Sequence, residues 1–324
     1  MSAIANLAAA PFAPIPFIAA ADYARTALWL DALQQALPHE RIVTLAGMTA
    51  DEKAACQVAI VANPDPAELK TLPQLLWLHS VWAGVERLIA DLGASQLKIV
   101  RLIDPQLGST MAEAVLAWTL YLHRDMPAYA QQQARGQWLA HPYVHPERKR
   151  VGLLGLGALG ALAATRLQAA GFQVCGWSRQ RKHLPGVTCH AGEDELDVML
   201  AHSDILVCLL PLTPDTRGLL GRRRLACLPQ GASLINFARG PIVVEADLLA
   251  ALDGGHLKHA VLDVFDQEPL PQGHPYWQHP QVTVLPHCAA PTDIQTASQI
   301  VADNIMAFRL SGQIPPGVDL QLGY

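Results

Sequence analysis

Ten residues near the middle of the chain, Val151–Gly160 (VGLLGLGALG), constrain its fold more than any other stretch. An apolar run there passes into glycines spaced G-x-G-x-x-G at Gly155, Gly157 and Gly160, and Ala158–Gly171 follows with an Ala/Leu face. Strand, tight turn and helix in that order open a doubly wound α/β sheet. Gly155 lets the chain turn, Gly157 lets a phosphate approach the backbone, and Gly160 lets helix and strand pack closely. Free N–H groups at the helix start then favour an anion, so a dinucleotide pyrophosphate is the expected occupant. Glycines serving only tight packing are the alternative.

The surroundings repeat the pattern. After the loop, apolar runs at FQVCGWS, DILVCLL, GASLINFA, HAVLDVF and VTVLPH read as further strands. Before it, strands are expected near Ile15–Ala19 and in RIVTL, CQVAIVA, LLWLHSV and KIVRLID, alternating with helical stretches. Between the two series, Ser109–Trp138 can run as one long helix, capped by Ser109 or Thr110. The expectation is an α/β protein of two Rossmann-like or flavodoxin-like domains with parallel sheets and an active site in the cleft between them. A length of 324 residues accommodates two such cores.

Composition excludes partners rather than naming them. A formal charge of −5, with 16% charged residues, argues against coating nucleic acid or an anionic membrane, both of which need a dense Lys/Arg surface. The apolar start has no basic residue before Arg25 and is interrupted by Pro11, Pro14 and Pro16, so it fits neither a signal peptide nor a membrane helix. A loose extension is expected there, and the cytoplasm as compartment. Six cysteines lack ligand-like spacing and are expected to be free, mostly buried thiols; the thirteen histidines form no HExxH, and no metal is expected.

Two further regions carry chemistry. Where a dinucleotide site usually has an acidic residue for the ribose, no Asp or Glu occurs between Gly155 and Glu193; Ser178, Arg179, Arg181 and Lys182 stand there instead. Cations attract a 2′-phosphate that a carboxylate would repel, so NADP(H) is the expected cofactor, with NAD(H) used less efficiently. A solvated basic loop is the bland alternative. Leu156, Ala158 and Leu159 in the glycine loop, Leu210 at the end of DILVCLL with Pro211 next, and Ala238 after LINF complete the expected cofactor contacts.

The second region is the set of strand ends, where α/β sheets bind ligands. Arg239 follows LINFA, Asp263 ends HAVL with Glu268 five residues on, and His287 closes VTVLP. Reduction of a small 2-oxo acid requires a cation for the carboxylate and carbonyl, a proton donor titrating near neutrality, and a carboxylate to charge that donor. Arg239, His287 and Glu268 have those chemical types. A structural Arg–Glu pair and a strand-capping histidine are the alternatives.

With VGLLGLGALG, GWSRQRKHLPGV, LLPLTPDTRGLL, LINFARGPIVVEADLLAALDGG, LDVFDQEPLP, PYWQHPQVTVLPHCAA and the final GY together, the sequence resembles the D-isomer-specific 2-hydroxyacid dehydrogenase family, and within it the glyoxylate/hydroxypyruvate reductases of the A type. The likeness runs from about residue 15 to the C-terminus and is densest in the second half. It implies reduction of glyoxylate or hydroxypyruvate by NADPH, with Arg239, Glu268 and His287 catalytic and Asp263 near the nicotinamide. It also implies that Trp82, Ala83 and Gly84, in HSVWAGVE, bind the substrate carboxylate, with Trp277 as a candidate pocket wall. A homodimer is implied, as is return of the last helix to the first domain, so that residues 1–108 with 291–324 bind substrate and 109–290 bind NADP. Trp82 and Glu86 replace the Gly and Asp usual in that subgroup, and ANPDP (Ala62–Pro66) departs from the segment of a related type; all bear on the acid accepted. Two rival functions are NAD-dependent oxidation of a D-2-hydroxy acid, of phosphoglycerate or lactate type, and a non-catalytic dinucleotide-sensing module.

Overall fold

In the computed structural model, which describes residues 12–93 and 95–320, the chain divides into two units. One comprises residues up to Asp104 together with those from Thr292 onward; the other is Pro105–Pro291. The N-terminal extension and the final GY lie outside the described residues.

The first unit is built on β1 (Ile15–Ala19), β2 (Ile42–Thr44), β3 (Val58–Ala62), β4 (Trp77–Ser80) and β5 (Lys98–Val100), interleaved with α1 (Thr26–Ala36), α2 (Ala50–Ala55), α3 (Pro66–Leu69) and α4 (Glu86–Leu92). All pairings are parallel and the order is β2-β1-β3-β4-β5, the flavodoxin-like arrangement. Buried strands with apolar residues on both faces require a cover on each side. Side chains of α3 and α4, such as Leu69 and Leu88, cover one face, and Trp29 and Leu33 of α1 lie on the other.

The second unit begins with α5 (Pro105–His123) and α6 (Met126–Ala134), followed by β6 (Arg150–Leu154), α7 (Ala158–Ala169), β7 (Gln173–Ser178), β8 (Thr188–Ala191), α8 (Glu193–Ala201) and β9 (Ile205–Cys208). It continues through α9 (Arg222–Leu225), β10 (Ala232–Asn236), α10 (Glu245–Asp253), β11 (Leu257–Leu262) and β12 (Val282–Val284). The sheet order is β12-β11-β10-β9-β6-β7-β8, all parallel, so the order reverses between β6 and β9. Successive residues serve opposite faces: Leu154 and Leu206 join the core under α8 and α10, Leu153 and Val207 the core under α5 and α7.

The last helix, α11 (Ile294–Ser311), belongs to the first unit. Asp293 caps it, accepting from the Gln295 and Thr296 N–H groups, and Gly312 ends it at φ 70. Its stripe Ala297, Val301, Ile305 and Phe308 joins Trp29, Leu33 and Trp77 in one core.

Two expectations of the local structure are corrected. The single long helix is two, because Pro127 lacks an N–H and its ring would strike the His123 carbonyl one turn back. Asp125 turns the chain at φ 55, its carboxylate bonded to His141 and Lys258. Ser109 and Thr110 lie inside α5 rather than capping it; Ser109 Oγ instead accepts from Arg166 of α7 at 2.7 Å. Strand β8 (TCHA) had no expectation at all, since an edge strand with no buried residue carries no apolar run. The cysteines are all free, but only Cys56, Cys175 and Cys208 are buried, and Cys288 is exposed. Among the described residues no helix is long and apolar enough to cross a membrane, and no group of three His, Cys, Asp or Glu side chains converges on a metal position.

Candidate active site

The glycine loop leaves β6 where the strand order reverses, the place where an open α/β sheet leaves a crevice. Gly155 has φ 107, which L side chains rarely adopt, and a Cβ there would press on the Leu209 carbonyl at 3.0 Å. Gly160 is required by contact, because a Cβ on it would overlap the Gly155 carbonyl oxygen. Gly157, at the N-cap of α7, would point a Cβ into open space. The open space at Gly157 fits a pyrophosphate at the α7 N-terminus, beside Leu156, Ala158 and Leu159, with Leu210 and Pro211 just beyond the end of the neighbouring strand β9.

The basic loop begins at the end of β7. Ser178 closes the strand and donates its hydroxyl to the Gln180 carbonyl at 2.7 Å; Arg179 and Lys182 are exposed. Arg181 is differently placed from what its charge suggested: it pairs with Glu195 and donates to the Cys189 carbonyl at 2.8 Å. Its guanidinium therefore braces β8 and α8.

Three adjacent strands, β10, β11 and β12, deliver the polar residues of the second region. Glu268 Oε2 lies 2.7 Å from His287 Nδ1, and Glu268 Oε1 accepts the Phe265 N–H at 2.9 Å. Burial raises the Glu268 carboxyl, but the bonds from His287 and Phe265 outweigh it and the net displacement is downward. His287 moves the other way: the Glu268 hydrogen bond raises its imidazole above the ordinary 6.5, against partial burial and the Arg239 charge. Arg239 acts on both partners, lowering each. With Nδ1 held by a carboxylate, Nε2 is the atom left to give a proton.

Asp263 is bonded to the turn that follows β12. It is 2% exposed, and its two carboxylate oxygens accept the Cys288 and Ala289 N–H groups at 2.7 and 2.9 Å while its carbonyl accepts the His287 N–H at 3.0 Å. It clamps the turn that carries His287. Asn236, which the sequence reading missed, does the same for Arg239: its Nδ2 donates to the Arg239 carbonyl at 3.1 Å and its Oδ1 accepts the Ala238 N–H at 3.2 Å. An asparagine closing an apolar strand was the available signal.

Outside this constellation, the Trp277 indole is half exposed and donates to the Pro271 carbonyl at 2.8 Å. In the first unit, Trp82 follows β4 and stands edge-on to Tyr23 with ring centroids 5.7 Å apart. Its N–H is donated to Ser80 Oγ at 3.1 Å.

The family profile described as D-isomer specific 2-hydroxyacid dehydrogenase, NAD binding domain, matches residues 116–289. A D-isomer specific 2-hydroxyacid dehydrogenase of Xanthobacter autotrophicus, crystallised with NADPH and MES, is 38% identical, with 96% of this chain and 100% of that one covered at a TM-score of 0.89. An NADPH-dependent glyoxylate/hydroxypyruvate reductase of Sinorhizobium meliloti, crystallised with NADP and sulfate, is 33% identical over 96% of this chain and 100% of that one, with a TM-score of 0.87. A family protein of Klebsiella pneumoniae is 35% identical over 97% and 100%, also at 0.87.

Proposed function

The chain belongs to the D-isomer specific 2-hydroxyacid dehydrogenase family, and on that premise we propose that it reduces small 2-oxo acids, glyoxylate and hydroxypyruvate among them, to glycolate and D-glycerate with NADPH as preferred reductant. The observation that carries the reading is the 2.7 Å His287–Glu268 pair under the influence of Arg239. A dinucleotide sensor has no use for a charged proton donor, and a hydroxy acid dehydrogenase does.

A bound nicotinamide supplies the hydride; the chain's residues do the rest. The Gly155–Gly160 turn and the α7 N-terminus hold the pyrophosphate, with Ala238 also lining the cofactor, and Arg179, helped by Ser178 and Lys182, holds the 2′-phosphate. NAD(H) lacks that phosphate and is used at lower efficiency. Arg239 grips the carboxylate and polarises the 2-carbonyl. His287 passes a proton from Nε2 to the carbonyl oxygen, and Glu268 stabilises the imidazolium that precedes this transfer. The Ala83 and Gly84 N–H groups add carboxylate contacts, and Trp82 and Trp277 bound the substrate. A homodimer is part of the same reading: Trp138, Leu139 and Tyr143 stand exposed in one short segment, an apolar surface suited to a second copy, and sedimentation of the purified protein tests it.

Following reduced-nicotinamide absorbance with NADPH or NADH across glyoxylate, hydroxypyruvate, pyruvate and bulkier 2-oxo acids tests the assignment. Turnover of the first two, faster with NADPH, is expected; tight NADPH binding without turnover of any acid overturns it. Arg179→Ala is expected to raise the KM for NADPH about tenfold or more while that for NADH changes by less than about twofold. Equal effects on both cofactors remove the 2′-phosphate role.

A further inference from the structure

Gly240 follows Arg239 and opens a single 3-10 turn, Gly240–Ile242. Its φ lies outside the left-handed region, so backbone freedom does not require glycine here. Space does. A Cβ built on it falls 2.5 Å from Phe265 Cα and nearer still to the Phe265 carbonyl carbon and the Asp266 nitrogen. All are main-chain atoms, which cannot rotate aside as a side chain would, so an added methyl is relieved only by moving backbone. The backbone in question holds the catalytic carboxylate: the Phe265 N–H donates to Glu268 Oε1 at 2.9 Å, and Glu268 Oε2 meets His287 at 2.7 Å.

We propose that Gly240 is a positioning residue: its missing side chain lets the turn after Arg239 seat on the Phe265–Asp266 peptide, and that seat sets the Glu268 carboxylate against His287. Two loops distant in sequence thereby keep one spacing, with Asn236 bracing the Arg239 side. The charged groups acting on His287 are Glu268, Arg239 and Asp263; moving the peptide weakens the first, while the Asp263 clamp on Cys288 and Ala289 stays. The kinetic consequence rests on the proposed reduction, but the coupling itself is readable without turnover.

The test is the pH titration of the His287 imidazole, followed by NMR in the full-length wild type, Gly240→Ala, Glu268→Gln and the double variant. Gly240→Ala is expected to move the His287 midpoint to lower pH, as Glu268→Gln does, with no further movement in the double variant. Its kcat/KM for glyoxylate falls about tenfold or more, the pH limb following the NMR midpoint, with NADPH affinity held within about twofold. An unchanged midpoint in folded Gly240→Ala protein, or additive shifts in the double variant, overturns the role. If Gly240→Ala does not fold, Asn236→Ala loosens the same turn without adding an atom: a lowered midpoint supports the link and an unchanged one overturns it. Wild-type protein that turns over no 2-oxo acid, with the midpoint still moved by Gly240→Ala, defeats the proposed function and leaves the positioning role standing.

Discussion

His287 sits at φ 51, a left-handed conformation that costs a residue with a Cβ about 1–2 kcal/mol. The strain is held by Asp263, whose carbonyl and carboxylate take the N–H groups of three successive residues. Backbone held in so sparse a region tends to mark a working site. Asparagine tolerates that conformation, so His287→Asn removes the proposed proton donor while keeping the turn. It is expected to lower the rate of 2-oxo acid reduction by about 10²–10⁴ with NADPH affinity nearly unchanged, measured by steady-state kinetics and a binding titration. The pH dependence has a definite sign. The proposed reduction needs the imidazolium, whose midpoint Glu268 raises, so activity is expected to persist to higher pH than a free histidine allows and to fall as pH rises through that midpoint. Glu268→Gln should move the descending limb of the kcat/KM profile to lower pH; a limb that stays put means another group titrates. The members of this trio were legible because charged residues ending apolar strands are conspicuous. Engagement of Arg181 by Glu195 was not, because it depends on β8 bringing the two together.

At the scale of elements, the β6–loop–α7 unit was the most readable, since its glycines are set by local geometry. Gly160 shows why: helix and loop meet so closely that no Cβ fits. Gly160→Ala must push α7 away from the Gly155 carbonyl, and with it the N–H groups expected to meet phosphate. NADPH affinity should drop about tenfold or more by calorimetry, at a cost in stability of about 1–3 kcal/mol. An affinity equal to wild type places the phosphate elsewhere. The break between α5 and α6 was legible in principle from Pro127, but a long apolar periodicity outweighed one residue. Strand β8 carries no such signal, since only its pairing with β7 makes it a strand.

At the scale of the molecule, the chain's return through α11 makes the first unit discontinuous. His79 of β4, 0% exposed, joins that return: its Nδ1 is bonded to the Ser80 carbonyl at 2.8 Å and its Nε2 lies 2.9 Å from Asn304 of α11. A neutral ring that donates at Nδ1 and accepts at Nε2 satisfies both contacts. Burial pushes His79 down to about 4, and His259 in the second unit to about 4 as well. Between the ordinary 6.5 and about 4 the unfolded chain binds these protons and the folded chain does not, so stability falls as pH falls through that window. Each histidine contributes a slope approaching about 1.4 kcal/mol per pH unit. His79→Gln should flatten the acid side of the stability profile in urea titrations; an unaltered profile shows that the ring is not protonated on unfolding.

The sequence by itself determined the alternating strands and helices, the phosphate-type turn and the chemical types of the site, because each follows from short-range spacing and from charge placed beside apolar runs. Only the tertiary structure decided what those residues do to one another. It turned Asp263 inward as a clamp, engaged Arg181 with Glu195 and made Gly240 the contact between two loops. Partners brought together by a fold are chosen by distance in space, and spacing along a chain does not encode that distance.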